Sequence, residues 1–185
     1  MGQLQPETVV LDGERMARAL IRISHEIVEQ HPDQRLALVG IHTRGAILAS
    51  RLRPLVADIS GTDVPLGEVD ISLYRDDVAT RAAAPVVHST NLDFDIAGTT
   101  VIVVDDVLFT GRTVRAAIDA IFDFGRPRSI RLAVLCDRGH RELPIRPDHV
   151  GKNIPTAFDD RVNVRLVETD GEDLISVSHS GAVST

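Results

Sequence analysis

The chain has 185 residues, 43% hydrophobic and 25% charged, with a formal net charge of −7. That length suits one domain, which buries roughly 70% of the surface its unfolded chain exposes. The acidic balance excludes a surface that binds nucleic acid throughout, and no apolar run approaches the ~20 residues needed to span a bilayer. The N-terminus lacks the basic, apolar and small-residue pattern of a secretory signal. The single cysteine, Cys136, cannot form an intrachain disulfide and follows the apolar run 130–135, so a buried core role and a reducing cytosol are expected.

In chain order, Asp12 reads as an N-cap, and Met16, Leu20, Ile23 and Ile27 follow at helical spacing, which predicts an amphipathic first helix. Residues 36–41 (LALVGI) form an apolar run of strand length, and residues 46–56 then read as a helix closed near Pro54. Residues 68–74 alternate as a strand, whereas residues 75–85 (RDDVATRAAAP) carry no firm period and read as an excursion or mobile loop. Residues 100–104 predict a β-branched strand, 111–124 a helix stopped by Gly125 and Pro127, and 130–135 another strand. A strand–helix–strand order of this kind implies parallel pairing with right-handed crossovers. The tail 176–185 is small and polar enough to fray.

The chemistry concentrates at residues 101–113 (VIVVDDVLFTGRT). Four apolar β-formers read as a strand buried on both faces, and Asp105 and Asp106 follow where it reaches the carboxyl edge of the sheet. Thr110, Gly111, Arg112 and Thr113 then open a helix, where unpaired N–H groups and the helix dipole favour a phosphate. Two adjacent carboxylates do not hold phosphate, so they face sugar hydroxyls or a Mg²⁺ ion that takes oxygen ligands. Taken singly, either aspartate reads as a turn or capping residue. A second loop, residues 40–45 (GIHTRG), also joins a strand to a helix, but Ala46 and Ile47 replace the Lys and Ser or Thr of a nucleoside-triphosphate cradle.

The order of strand, two acids and TGRT resembles the phosphoribosyl-pyrophosphate motif of the type I phosphoribosyltransferases, and Thr43, Arg44 and Gly45 resemble that family's diphosphate loop. Residues 67–77 (GEVDISLYRDD) and 137–156 (DRGHRELPIRPDHVGKNIPT) are similar to the bifunctional pyrimidine-operon regulators with uracil phosphoribosyltransferase activity. With LVG at 38–40, TRG at 43–45 and DDVLFTGRTVRAA at 105–117, the likeness covers nearly the whole chain. It implies a single α/β domain over residues 1–185, with a central, mostly parallel sheet flanked by helices and a small hood. It also implies reversible conversion of uracil and phosphoribosyl pyrophosphate (PRPP) to UMP and diphosphate with Mg²⁺, and uridine-nucleotide-dependent binding to the leader of pyrimidine-biosynthetic mRNA.

Carried over residue by residue, the resemblance has Asp105 and Asp106 on the ribose hydroxyls, with Mg²⁺ held through PRPP and these acids. Val107, Leu108, Phe109, Thr110, Gly111, Arg112 and Thr113 surround the 5-phosphate, and Thr43, Arg44 and Gly45 meet the diphosphate, over which Arg75 closes. Leu135, Cys136, Asp137 and Arg138 receive uracil, largely through backbone groups. His25, His140, Arg141, Arg146 and Lys152 match positions on a basic RNA-facing side. Ile21, one turn before His25, stands where RNA-binding relatives commonly carry a hydroxyl residue, and residues 81–88 form a shorter, Ala-rich loop.

Charge distribution bears on the RNA expectation. Residues 126–152 hold Arg126, Arg128, Arg131, Arg138, Arg141, Arg146 and Lys152 against Asp137, Glu142 and Asp148. A plain uracil salvage enzyme has no need of this excess beyond its substrate pocket, although a solvated loop is the ordinary fate of such arginines. A cytoplasmic homodimer or higher homo-oligomer is expected, since two such basic faces together span a folded RNA stem-loop.

Overall fold

The computed structural model describes residues 7–71 and 90–179. A short strand, β1 (Glu7–Asp12), leads into helix α1 (Gly13–Gln30), and Asp12 caps that helix by accepting the Arg15 N–H at 2.8 Å. Met16, Ala19, Leu20, Ile23 and Ile27 bury one face of α1, as their spacing predicted. Ile21 is 45% exposed, so it belongs to the helix surface and not to the core.

Strand β2 (Leu36–Ile41) is buried at every position and turns into helix α2 (Arg44–Ser60). The predicted stop at Pro54 does not occur. Leu52 and Val56 are buried on either side of it, and this packing outweighs the backbone bond that proline removes. The helix ends at Gly61, whose φ of 68° is the left-handed conformation that glycine adopts without steric cost.

Strand β3 (Leu66–Val69) begins two residues before the predicted strand 68–74 and ends at Val69, and residues 72–74, the excursion 75–85 with Arg75, and the loop 81–88 lie outside the described residues. Strand β4 (Thr100–Leu108) leads to α3 (Arg112–Phe122), which leads to β5 (Ser129–Asp137). Then come β6 (His149–Asn153), β7 (Arg161–Arg165), a single turn α4 (Val167–Asp170) and β8 (Leu174–Ser178). Residues 176–178, expected as the start of a frayed tail, are therefore strand. Ile175 and Val177 are buried, and β8 pairs with both β1 and β7.

The main sheet is parallel, in the order β3-β2-β4-β5-β6, while β1, β8 and β7 form a small antiparallel sheet. One core cluster joins α1 and α2 to Leu38, Ile102, Val104, Ala133 and Leu135. The other joins α3 to Val39, Val101, Val103, Leu132 and Val134. Helices thus cover both faces, which is why β2, β4 and β5 read as continuous apolar runs. The chain winds outward from β2 to β3 in one direction and from β4 to β5 and β6 in the other. The crevice between the carboxyl ends of β2 and β4 is therefore the switch point where a doubly wound sheet binds its ligand.

Candidate functional site

The two loops singled out in the sequence meet at that switch point. Gly40 pairs with Val104 in the β2–β4 ladder, and the backbone of Gly45 packs directly on Val104 and Asp105. Residues 43–45 therefore sit against the acid pair. The His42–Thr43 peptide is cis.

Strand β4 runs past its predicted end at Val104. β5 extends to Asp137 and supplies parallel partners for the extra turnless stretch: Val134 for Asp105, Cys136 for Val107 and Asp137 for Leu108. Both acids lie on the ladder, with Asp105 Oδ1 accepting the Asp106 N–H at 2.9 Å and Asp106 Oδ1 accepting the Val107 N–H at 2.8 Å. They open onto different clefts. Asp105, 6% exposed, borders a cleft of about 730 Å³ that is also lined by Phe109, Thr110, Gly111, Arg112 and Thr113. Asp106 borders a cleft of about 510 Å³ together with Arg44, Arg161, Asn163, Arg165 and Asp170, between the main sheet and the small one.

At the first cleft, Gly111 has φ of 93°, and the side chains of Ile145 and Leu143 crowd the place that a Cβ would take. Glycine alone fits this turn without strain, and beyond Arg112 the first N–H groups of α3 carry no side-chain cap. Arg112 N–H turns back to Thr110 Oγ1 at 3.3 Å, and the Arg112 side chain donates to Glu142 at 2.7 Å. The loop is braced from behind by Arg141, whose guanidinium donates to the carbonyls of Phe109 at 2.9 Å and Ile145 at 3.0 Å and pairs with Asp137. Arg141, expected to face RNA, thus directs Nε, Nη1 and an Nη2 donor to groups within the protein.

The segment expected to receive uracil divides in two. Leu135 and Cys136 are 2% and 0% exposed and lie within β5, where Cys136 pairs with Val107 on one side and Lys152 on the other. Their backbone belongs to a central strand with neighbours on both edges, so they wall the site from behind. Burial, followed by the nearby Asp106 and Asp137 carboxylates, pushes the Cys136 thiol far up, which makes it an inert core residue. Asp137 and Arg138 stand at the strand's end. Arg138 lies with its guanidinium 4.1 Å from the Phe109 ring centroid and donates at 3.0 Å to the carbonyls of Ala157 and Phe158. Burial lowers its affinity for a proton.

Around this cation, Phe109, His140 and Phe158 form an aromatic cluster with centroids 5.6 to 6.1 Å apart. No local pattern announces the cluster, because the three residues come from three separate loops. An aromatic residue in the polar stretch at 156–160 (TAFDD) was the only available sign. His140 has φ of 63°, and its Nε2 lies 2.7 Å from the Thr156 carbonyl.

Of the remaining basic positions, His25, Arg146 and Lys152 are exposed, and Arg146 and Lys152 make no ion pair among the described residues. Arg22 donates to the carbonyls of Val150 at 3.0 Å and Gly151 at 2.8 Å, tying the helix that carries His25 to the strand that carries Lys152.

A doubly wound parallel sheet with a small antiparallel sheet beside it, an acid pair on its central strand and a glycine turn opening the next helix is the arrangement of a phosphoribosyltransferase fold. Residues 8–168 match the phosphoribosyl transferase domain family, to which the chain belongs. The hypoxanthine phosphoribosyltransferase of Trypanosoma cruzi shares the fold, with a TM-score of 0.70 at 21% identity over 94% of this chain and 97% of that one. The hypoxanthine-guanine phosphoribosyltransferase of Bacillus anthracis does so at a TM-score of 0.68 and 17% identity, over 92% and 97%. Within the family the chain belongs with the proteins named bifunctional protein PyrR. That of Chloroflexus aurantiacus is 56% identical over 95% of this chain and 97% of its own length, and that of Deinococcus radiodurans 53% identical over 93% and 94%.

Proposed function

We propose that the chain converts uracil and PRPP reversibly to UMP and diphosphate, and that it binds the leader of pyrimidine-biosynthetic mRNA in a uridine-nucleotide-dependent manner. The observation that carries this reading is the 53–57% identity to proteins named bifunctional protein PyrR across nearly the full chain. In the transfer, the C1–O bond to diphosphate breaks and a C1–N1 bond to uracil forms, N1 losing its proton. Catalysis of this kind rests on positioning and on charge stabilisation at an oxocarbenium-like ribose.

Each part of the site has a role in that reading. The open N–H groups at the start of α3, with Thr110 and Thr113, hold the 5-phosphate, and Asp105 meets the ribose from the same cleft. Arg44, beside Asp106, takes the diphosphate, and uracil lies against the end of β5 at Asp137 and Arg138. No group of three or more metal-binding side chains occurs among the described residues, so a Mg²⁺ ion fits only where a ligand brings most of the oxygens. Asp106 would add one protein carboxylate there, and the bound ion would neutralise charge on the departing diphosphate.

RNA meets the surface that carries His25, Arg146 and Lys152. Two titrations test the regulatory half: leader-RNA affinity with and without saturating UMP, and UMP affinity with and without saturating RNA. Linkage requires the same factor in both. Uracil-dependent diphosphate release tests the enzymatic half. RNA binding no better than that of an unrelated hairpin leaves a plain uracil salvage enzyme.

A further inference from the structure

Arg44 and Arg51 lie seven residues apart on α2, two turns along one face of the helix, and both meet the segment that joins β7 to β8. Arg51 donates to Glu168 and, at 2.8 and 2.9 Å, to Asp173, while Arg44 Nη2 donates to both oxygens of Asp170 at 3.0 and 3.1 Å. An acidic clasp from the small sheet therefore grips the helix that opens with the diphosphate loop. Asp170 is itself held in place. Its Oδ2 accepts the Leu166 N–H at 2.9 Å and the Thr169 hydroxyl at 2.8 Å, and these bonds, the backbone one first, keep its carboxyl below the usual range.

We infer that Asp170 is a positioning residue for the diphosphate of the substrate, acting by fixing the Arg44 guanidinium at the rim of the 510 Å³ cleft. This rests on the phosphoribosyltransferase reading above. The pairing spends only one nitrogen of the guanidinium. Nη1 makes no hydrogen bond among the described residues, and Nε is buried without a partner. An arginine pinned through one nitrogen keeps a donor free for an anion while losing the rotamer freedom that binding would otherwise have to remove.

The sign of the effect separates positioning from simple competition. Removing a carboxylate from beside a polyanion site lowers repulsion and tightens binding, whereas removing a positioning contact weakens it. Asp170→Ala should therefore raise the dissociation constants of PRPP and of magnesium diphosphate by about tenfold, within the range of a lost charge-assisted hydrogen bond. UMP carries no diphosphate, so its affinity should stay unchanged. Under turnover the KM for PRPP should rise with kcat preserved.

The decisive comparison is a double-mutant cycle read by calorimetry with the full chain. In an Arg44→Ala background, Asp170→Ala should have no further effect on diphosphate affinity. A loss of equal size there, a parallel loss of UMP affinity, or tighter diphosphate binding by the single variant each overturns the inference. Wild-type protein that binds neither PRPP nor diphosphate overturns the functional reading and the inference with it.

Discussion

Gly45 lies so close beneath β4 that a Cβ on it would collide with the carbonyl oxygen of Val104 and stand 3.2 Å from the Asp105 Cα. The start of α2 and the acid-bearing strand are thus in backbone contact, which brings together two loops that lie far apart in the sequence. Gly45→Ala should push α2 away from β4, weakening PRPP binding at least tenfold and lowering stability by about 1–3 kcal/mol, the usual cost of overpacking. Calorimetric titration with PRPP and urea unfolding check the two effects.

The separation of the two carboxylates predicts different consequences for their loss. Asp106→Asn, beside Arg44 on the hood side, should mainly raise the KM for PRPP. Asp105→Asn, beside the phosphate loop, should mainly lower kcat, by about a hundredfold, as expected when a group acts on charge that develops in the transition state. Steady-state diphosphate release measures both. Full activity in the double variant would remove these residues from the site.

Arg141 and Arg146 sit five residues apart yet should behave oppositely. Arg141→Ala leaves the Phe109 and Ile145 carbonyls and Asp137 Oδ2 without their donor, so stability should fall by about 2–4 kcal/mol and the 109–113 loop should loosen. Arg146→Ala should leave the unfolding midpoint unchanged. If leader RNA is bound, the log-log salt slope of its affinity should drop by about 0.7 for each single-stranded phosphate contact removed.

His149, the first residue of β6, is fully buried beside α1, with His31 edge-on at 6.4 Å, Arg131 and Asp148 nearby, and Glu26 Oε2 3.5 Å from Nδ1, too far for a well-formed hydrogen bond. Burial, the largest influence on each ring, holds both histidines below their usual 6.5. The unfolded chain then binds more protons than the folded one just below pH 6.5. Stability should be complete above that pH and fall as the pH drops toward the folded values, by at most about 1.4 kcal/mol per pH unit for each histidine. His149→Leu should flatten this dependence. Urea unfolding at two pH values on either side of 6.5 decides it, and an unchanged slope in the variant refutes the assignment.

Local pattern was enough for α1, β2 and the β4–α3–β5 unit. An N-cap, a helical stripe and doubly buried apolar runs are written in consecutive residues, and the TGRT turn needs its glycine wherever it occurs. The resemblance of residues 137–156 to the pyrimidine-operon regulators likewise stood in the sequence alone. Tertiary structure decided what depends on distant partners. β1 and β8 pair although their sequences lie more than 160 residues apart, and no local period announces a strand made by such a pairing. β4 continues through its two acids because β5 lies beside them, and α2 continues through Pro54 because its flanking residues are buried. Arg141 and Arg138 looked like their basic neighbours in sequence. They turn inward because carbonyls from two other loops and the Phe109 ring meet them there, and Arg44 acquires its partner only where the 168–173 segment folds back onto α2.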